Sequence, residues 1–291
     1  MKNRYLRNIL LKALYPDIEE LNTYLEKVLS DDDPPEILDI EEGELSILKS
    51  NIYKVTTKLK YQKELLKQDK VTLATAMADI SHQLKTPLTS MMVMNDLLKS
   101  EEDGEKREEF LKTQSDQLDR MNWLIQTLLK LSKLDAGSVL LTKEDIAADE
   151  LIKDVMKPFE IQMDIENISF VSEISDTLVM CDKNWTVEAI QNIVKNCIEH
   201  MDEGGSLKVS LIDTNIFSQI LISDTGCGIA AEDIPHVFER FYRGKNAGKD
   251  SVGIGLALAK TIIENQHGEI SVKSEAGVGT TFDIKLYKTI I

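Results

Sequence analysis

At 291 residues the chain has room for two domains or slightly more, each able to bury a core of its own. Its 50 acidic side chains outnumber 34 basic ones, for a net charge of −16. That argues against non-specific binding of nucleic acid and disfavours simple electrostatic attachment to anionic lipid, both of which need a basic surface. Three cysteines (Cys181, Cys197 and Cys227) are odd in number and share no metal-ligand spacing. A reduced, cytosolic chain without a disulfide framework is expected.

Residues 1–15 are basic and mildly amphipathic. Their longest apolar run, Ile9-Leu10-Leu11 followed by Ala13-Leu14, is too short to span a bilayer, and no signal-peptide cleavage site follows it. Pro16 precedes a short predicted helix that carries Leu21, Tyr24, Leu25, Val28 and Leu29. Ser30 to Pro35, with three aspartates and two prolines, breaks it, and Glu41-Glu42-Gly43-Glu44-Leu45 opens a much longer helix.

Leu45, Ile52, Leu59, Leu66, Leu73 and Ile80 stand seven apart, a heptad that predicts a coiled coil. The second apolar position drifts, from three residues later (Leu48, Val55) to four later (Met77, Leu84). Between the two regimes Gln62, Lys63, Asp69 and Lys70 leave the seam polar. Two readings stand: an imperfect coiled coil, or a locally unwound segment that changes packing between two states.

On this helix lies Ala78-Asp79-Ile80-Ser81-His82-Gln83-Leu84-Lys85-Thr86-Pro87-Leu88-Thr89. Leu73, Met77, Ile80 and Leu84 form the seam, and His82, midway between the last two, points away from it toward solvent. Pro87 has no N–H to give the Gln83 carbonyl, so the helix should loosen beside the imidazole. An exposed imidazole at a deformable turn suits a nucleophile that another domain must reach. The helix is predicted to run to Leu98, with a turn through Asp103-Gly104. A second helix from about Lys106 to Leu134 carries a stripe of Leu111, Leu118, Met121, Leu124, Ile125, Leu128 and Leu131 and ends at Ala136-Gly137-Ser138. One hairpin cannot cover so much apolar surface, so a dimeric four-helix bundle is expected.

After about residue 140 short β-like runs (168–173, 206–212, 216–223, 269–274, 280–286) alternate with helical ones (149–164, 183–201, 253–266). The expected fold is a helix layer on one face of a mixed sheet, so that the whole chain is an α-helical hairpin followed by an α/β domain.

Several features in this part point to a nucleotide pocket. Asn192 and Asn196 are one turn apart on a helix, a spacing at which amide oxygens can hold a hydrated Mg²⁺ on phosphates; such a pair on its own is also ordinary polar surface. Asp224-Thr225-Gly226-Cys227-Gly228-Ile229 sets a carboxylate at a strand end before Gly-x-Gly, suited to reading an exocyclic amine beside a flat ring; alone it equally fits a calcium loop or a plain turn. Phe238 to Arg243, followed by Gly244-Lys245-Asn246-Ala247-Gly248-Lys249, pairs an aromatic anchor with a basic, glycine-rich segment able to close over phosphates. Ser251-Val252-Gly253-Ile254-Gly255-Leu256 opens a helix whose N-terminal amides can meet anionic oxygens. Gly277-Val278-Gly279-Thr280 precedes the last strand.

In this order the motifs make the chain resemble the cytoplasmic part of a bacterial sensor histidine kinase. The stretch around His82 is similar to the family's H box, and the later ones to its N, G1, F, G2 and G3 boxes, over residues 70 to 288. The resemblance implies an ATP-binding domain of the Bergerat fold, an α/β sandwich shared with type II topoisomerases, mismatch-repair ATPases and a heat-shock chaperone. It implies 1–15 as a basic segment, 16–70 as a HAMP-like linker and signalling coiled coil, 71–137 as the dimerisation and phosphotransfer domain, and 138–291 as the catalytic domain. HAMP modules usually follow a transmembrane helix, and none is found in this sequence. The resemblance therefore implies either a parent protein anchored in the bacterial cell membrane through a segment absent from this chain, or a soluble variant.

By the same resemblance His82 is the phosphoacceptor. Asn196 is the main Mg²⁺ ligand, assisted by Asn192. Asp224 binds the adenine amino group, and Gly226, Gly228, Gly253 and Gly255 shape the pocket. Ile229, Phe238, Leu256 and Thr280 belong to the same stretches, and Arg243 and Lys245 approach the phosphates. Thr86 matches the position that orients water when relatives dephosphorylate their partner. Implied partners are a second copy of the chain and the receiver domain of a response regulator, whose aspartate takes the phosphoryl group.

Three departures stand out. Relatives carry Glu or Asp after the histidine as a general base, and Gln83 cannot take a proton. Glu199 and His200 stand where Lys and an aromatic follow the second asparagine, with Lys195 on the other side of Asn196 as a substitute phosphate contact. Ser251 replaces a common glycine. Two alternatives remain. One is a hydrolytic ATPase of the same fold, disfavoured because Asn192 stands where such enzymes place a water-activating glutamate. The other is an ATP-binding, non-catalytic signalling dimer, which Gln83 and Glu199 favour.

Overall fold

The computed structural model describes residues 18–19, 21–28, 44–175, 177–244 and 252–288. The basic segment 1–15, the acidic break 30–35, residues 41–43, Lys245 with the rest of 245–250, and Ser251 lie outside the described residues, as do the side chains of Leu45, Asp69 and Leu73. The chain divides into two compact units, residues 1–75 and 76–291.

In the first unit helical residues 21–28 (α1) accompany the early part of a long helix, α2 (Glu44–Ser100). Leu21, Tyr24 and Thr56 are buried, and the Tyr24 and Thr56 hydroxyls lie 2.7 Å apart. Of the heptad residues described on α2, Leu59 and Leu66 are more than half exposed, as is Val55, while Ile52 and Ile80 are half-buried. A helix whose apolar seam stays open is one that a partner helix completes. No helix among the described residues is long and apolar enough to cross a membrane.

The second unit begins with the rest of α2, which turns at Glu101–Asp103 into α3 (Gly104–Asp135). Asp103 caps α3 by accepting the Glu105 N–H at 3.0 Å. The Arg107 guanidinium donates to the Leu98 and Glu101 carbonyls at 2.8 and 3.0 Å, and the Gln114 amide to the Met91 carbonyl at 3.2 Å. These contacts tie the two helices into an antiparallel hairpin. Gly137, at φ +60°, closes α3 with Ser138 donating to Lys133 and Gly137 to Leu134, the left-handed exit that glycine favours.

The α/β part follows. Strand β1 (Glu144–Ala147) pairs antiparallel with β3 (Leu178–Cys181) in a two-stranded sheet that the sequence reading lacked. The helix expected over 149–164 is interrupted: α4 (Ala148–Met156) gives way to a 3₁₀ turn (Lys157–Phe159) before α5 (Glu160–Ile165). Pro158 has no N–H for the α-helical ladder, which accounts for the change. A five-stranded sheet then takes β2 (Ser169–Glu173), β4 (Ser206–Asp213), β5 (Phe217–Asp224), β6 (Gly268–Glu275) and β7 (Gly279–Tyr287) in the order β2-β4-β5-β7-β6. The β2–β4 pair is parallel and the others antiparallel, so the sheet is mixed as expected.

Along β5 and β7 every second side chain is buried, the period that covers one sheet face. Ile220, Ile222, Phe282 and Ile284 on that face meet Ile190, Ile193 and Val194 of α6 (Lys183–Glu199) and Leu258, Ile262 and Ile263 of α7 (Gly255–Asn265) in one core. A buried polar clasp fixes the two helices. Gln266 accepts the Asp182 N–H at 2.7 Å and donates to the Thr186 hydroxyl at 3.0 Å, while Asp182 caps α6 and Lys143 donates to the Gln266 carbonyl. Leu124, Leu131 and Leu134 of α3 are buried in the same core, so the hairpin and the α/β part pack as neighbours within this unit.

Candidate functional site

A cavity of about 580 Å³ opens between α3, α6 and the N-terminal end of α7. Side chains and backbone from five separate stretches of sequence meet there: Asn192, Lys195 and Asn196 of α6; Asp224 at the end of β5 with Gly228 and Ile229 beyond it; Arg243; Gly253, Gly255 and Leu256 at the start of α7; and Thr280 of β7.

Each is held by local geometry. Asp224 ends β5 almost fully buried, and its Oδ1 accepts the Gly226 N–H at 2.9 Å and the Thr280 N–H at 3.2 Å. Two backbone donors on one oxygen aim the carboxylate into the cavity. The thiol of Cys197 lies against it, and burial first, then the Asp224 charge, push that thiol well up from its ordinary value. Gly228 adopts φ +67°, and a Cβ there would stand 2.1 Å from the Glu275 carbonyl oxygen, so the loop passes this point only without a side chain. A Cβ on Gly255 would come 2.9 Å from the Asn192 Oδ1, the end of a side chain, and would push that amide aside. The first turn of α7 has no side-chain cap, which leaves its leading amides and dipole for an anion in the cavity.

The described residues on either side of 245–251 are pinned. The Phe241 N–H donates to the Gly253 carbonyl at 2.8 Å, with Phe241 at φ +64°. The Tyr242 hydroxyl donates to Asp233 at 2.6 Å, and that hydrogen bond pushes the phenol up to about 12. Phe238 does not line the cavity. It packs edge-on to Phe282 at 6.4 Å between ring centroids, against the core. Gly226 also stays behind the wall, where a Cβ would come 2.4 Å from the His200 carbonyl oxygen.

The donors on α6 fit a hard cation. Asn192 turns its Nδ2 to the Glu188 carbonyl at 2.8 Å, which leaves its oxygen as the free end. Asn196 makes no side-chain hydrogen bond among the described residues and lines the cavity. Neutral oxygen donors on one helix face suit Mg²⁺, which keeps its waters and takes further oxygens from phosphate. Among the described residues there is no group of three or more His, Cys, Asp and Glu that could hold a metal ion.

His82, Gln83 and Thr86 stand on α2, outside the cavity. His82 is exposed, Gln83 half-buried and Pro87 buried. The Thr86 hydroxyl donates to the His82 carbonyl at 3.3 Å. Carried along the hairpin, the Met91–Gln114 and Leu98–Arg107 contacts bring His82 level with Trp123 on α3.

Trp123 belongs to a wall that sequence reading missed. Asp116, Gln117, Asp119, Arg120 and Trp123 line the cavity from α3. They recur at three- and four-residue spacing, one helix face. Their signal was a second stripe beside the apolar one, and an aromatic in a helix ordinarily reads as core. The Trp123 ring lies 5.0 Å from the Lys195 ammonium, which also pairs with Glu199 at 3.7 Å. Further along, Lys130 pairs with Glu188 at 2.7 Å and Asp135 with Arg240 at 2.8 Å.

Comparison with known proteins matches two family models: the His Kinase A (phospho-acceptor) domain over residues 72–137, and the Histidine kinase-, DNA gyrase B-, and HSP90-like ATPase over residues 181–290. The chain is 34% identical to the Heme sensor protein HssS of Staphylococcus saprophyticus over 215 residues, covering 73% of this chain and 46% of that protein. The chain spans about half the length of the curated relatives it matches, 46% and 52% for two of them. Its fold is like that of the Acinetobacter baumannii histidine kinase AdeS, with TM-score 0.62 and 24% identity over 72% of this chain and 98% of that one. It is also like histidine kinase ThkA in its complex with response regulator protein TrrA, with TM-score 0.65 and 24% identity over 79% and 66%.

Proposed function

The chain belongs to the sensor histidine kinases, and from that premise we propose that it autophosphorylates His82 from ATP and passes the phosphoryl group to an aspartate of a response regulator. The observation that carries this reading is the convergence of Asn196, Asp224, Gly253 and Gly255 on one cavity, in the same unit as an exposed histidine. In the reaction a lone-pair nitrogen of His82 attacks the γ-phosphorus while the bond to the β–γ bridging oxygen breaks and ADP leaves. Positioning and charge neutralisation do most of the catalysis. Asp224 takes the adenine amine. The α7 amides, Lys195, Arg243 and Lys245 take phosphate oxygens, and Asn196 with Asn192 holds Mg²⁺, which neutralises phosphate charge when bound. Thr86 serves removal of the phosphoryl group from the regulator. Residues 16–70 act as linker and signalling coiled coil, 71–137 as phosphotransfer domain and 138–291 as catalytic domain, in a cytoplasmic homodimer.

Incubation with γ-labelled ATP and Mg²⁺, beside His82→Ala, tests the reading. Acid-labile, alkali-stable label is expected on the chain and absent from the variant. Phosphate release without protein label would instead support a hydrolytic ATPase, and neither signal a nucleotide-binding scaffold, which Gln83 favours. Sedimentation equilibrium is expected to return a dimer, because Leu88, Met92, Leu111 and Leu118 stay half or more exposed on the hairpin. A monomer at micromolar concentration would sink the bundle.

A further inference from the structure

We propose that Trp123 is a positioning residue for nucleotide: its indole holds the Lys195 ammonium in reserve, and nucleotide phosphates draw that ammonium away as they bind. The proposal rests on the ATP reading above and adds to it a residue of the phosphotransfer hairpin.

Lys195 immediately precedes Asn196 and lines the same cavity, so it is the α6 cation placed to meet phosphate. Its side chain is half exposed, and its ammonium has two partners, the Glu199 carboxylate at 3.7 Å and the Trp123 ring at 5.0 Å. A cation over an indole face is held by the ring quadrupole, a contact worth a few-fold in an equilibrium at an exposed site. A triphosphate offers the same ammonium a far larger charge, so the two partners compete for it. The α3 wall sharpens the contest. Asp116 and Asp119 bring negative charge to the rim and Arg120 a single cation, so α3 as it lies here adds little attraction for an anion. What α3 does hold is Lys195, through Trp123. Nucleotide binding and the grip of α3 on the cavity mouth are therefore linked, each loosening the other by the same factor.

Isothermal titration with Mg²⁺ and AMPPNP on the full chain measures the linkage. Trp123→Ala is expected to tighten binding by about threefold, the size of an exposed cation–π contact. Trp123→Phe, which keeps a weaker ring face, should fall between that variant and the wild type. In a Lys195→Met background the same Trp123→Ala change should alter affinity by less than about 1.5-fold, since the ammonium it releases is gone. Emission assigned to Trp123, taken as the difference between the wild type and Trp123→Phe, should shift on adding nucleotide and stay unchanged in Lys195→Met. Weaker binding by Trp123→Ala would make the indole a direct contact of the bound nucleotide and overturn the proposal. An equal effect with and without Lys195 would overturn it as well. If the wild type binds no AMPPNP the ATP reading falls, and this role with it; normal binding in every variant removes the Trp123 role alone.

Discussion

Asn196→Ala is expected to cut the rate of His82 labelling by about 100-fold or more while leaving the fold intact. Losing a metal-binding oxygen removes several kcal/mol of charge stabilisation, and each 1.4 kcal/mol is about tenfold in rate. The structural cost is small. The Asn196 side chain is half-buried and makes no hydrogen bond among the described residues, and Ala is the better helix former, so stability should move by less than about 0.5 kcal/mol. Initial labelling rates beside a thermal melt separate the two effects. Labelling within a few-fold of the wild type, with an unchanged melt, would remove Asn196 from the proposed Mg²⁺ site and leave Asn192 to be tested in its place.

Gln83→Glu carries the opposite sign: a gain of about 10- to 100-fold in labelling rate. A positioned general base contributes roughly 10² to 10⁴, and an amide that can orient an imidazole but not accept its proton forgoes that factor. Gln83 directly follows His82 on α2 and is half-buried, and Glu is as good a helix former, so the exchange changes chemistry without disturbing the hairpin. The gain belongs in the turnover step, with the KM for ATP unchanged, because residue 83 lies outside the cavity. An unchanged rate would mean that proton removal does not limit the labelling of His82.

The two kinds of element differ in how far they can be read from sequence. The alternation of Thr281 to Leu286 and the apolar face of α7 carry their own periods, and each comes out as a strand or helix with one side on the core. So do the hairpin helices, whose ends moved by only two residues or so. By contrast β1 and β3 are four residues each and find one another across more than thirty residues of chain, and so short a run has no period to detect. Pro158 stood inside an otherwise helical pattern, and its effect was a 3₁₀ turn rather than an end.

The candidate site divides in the same way. Stretches that need glycine or a strand-end carboxylate, such as 224–229 and 253–256, advertise themselves because few residues satisfy the backbone there. Trp123 and Arg120 do not, because their place in the wall depends on how α3 lies against α6. On α3 the expected stripe covered one face, whereas the molecule uses two: Leu118 and Ile125 remain exposed while Leu124, Leu131 and Leu134 are buried.

Those two faces make α3 a shaft with a gear on each side. Successive residues stand about 100° apart around it, so the face left open for a second hairpin and the face seated on the α/β part cannot turn independently. A twist of the bundle that improves the fit on one side must drag Trp123, Lys130 and Asp135 past their counterparts on the other. Torque delivered along the bundle would thus reach the nucleotide cavity through its own wall, with no separate messenger.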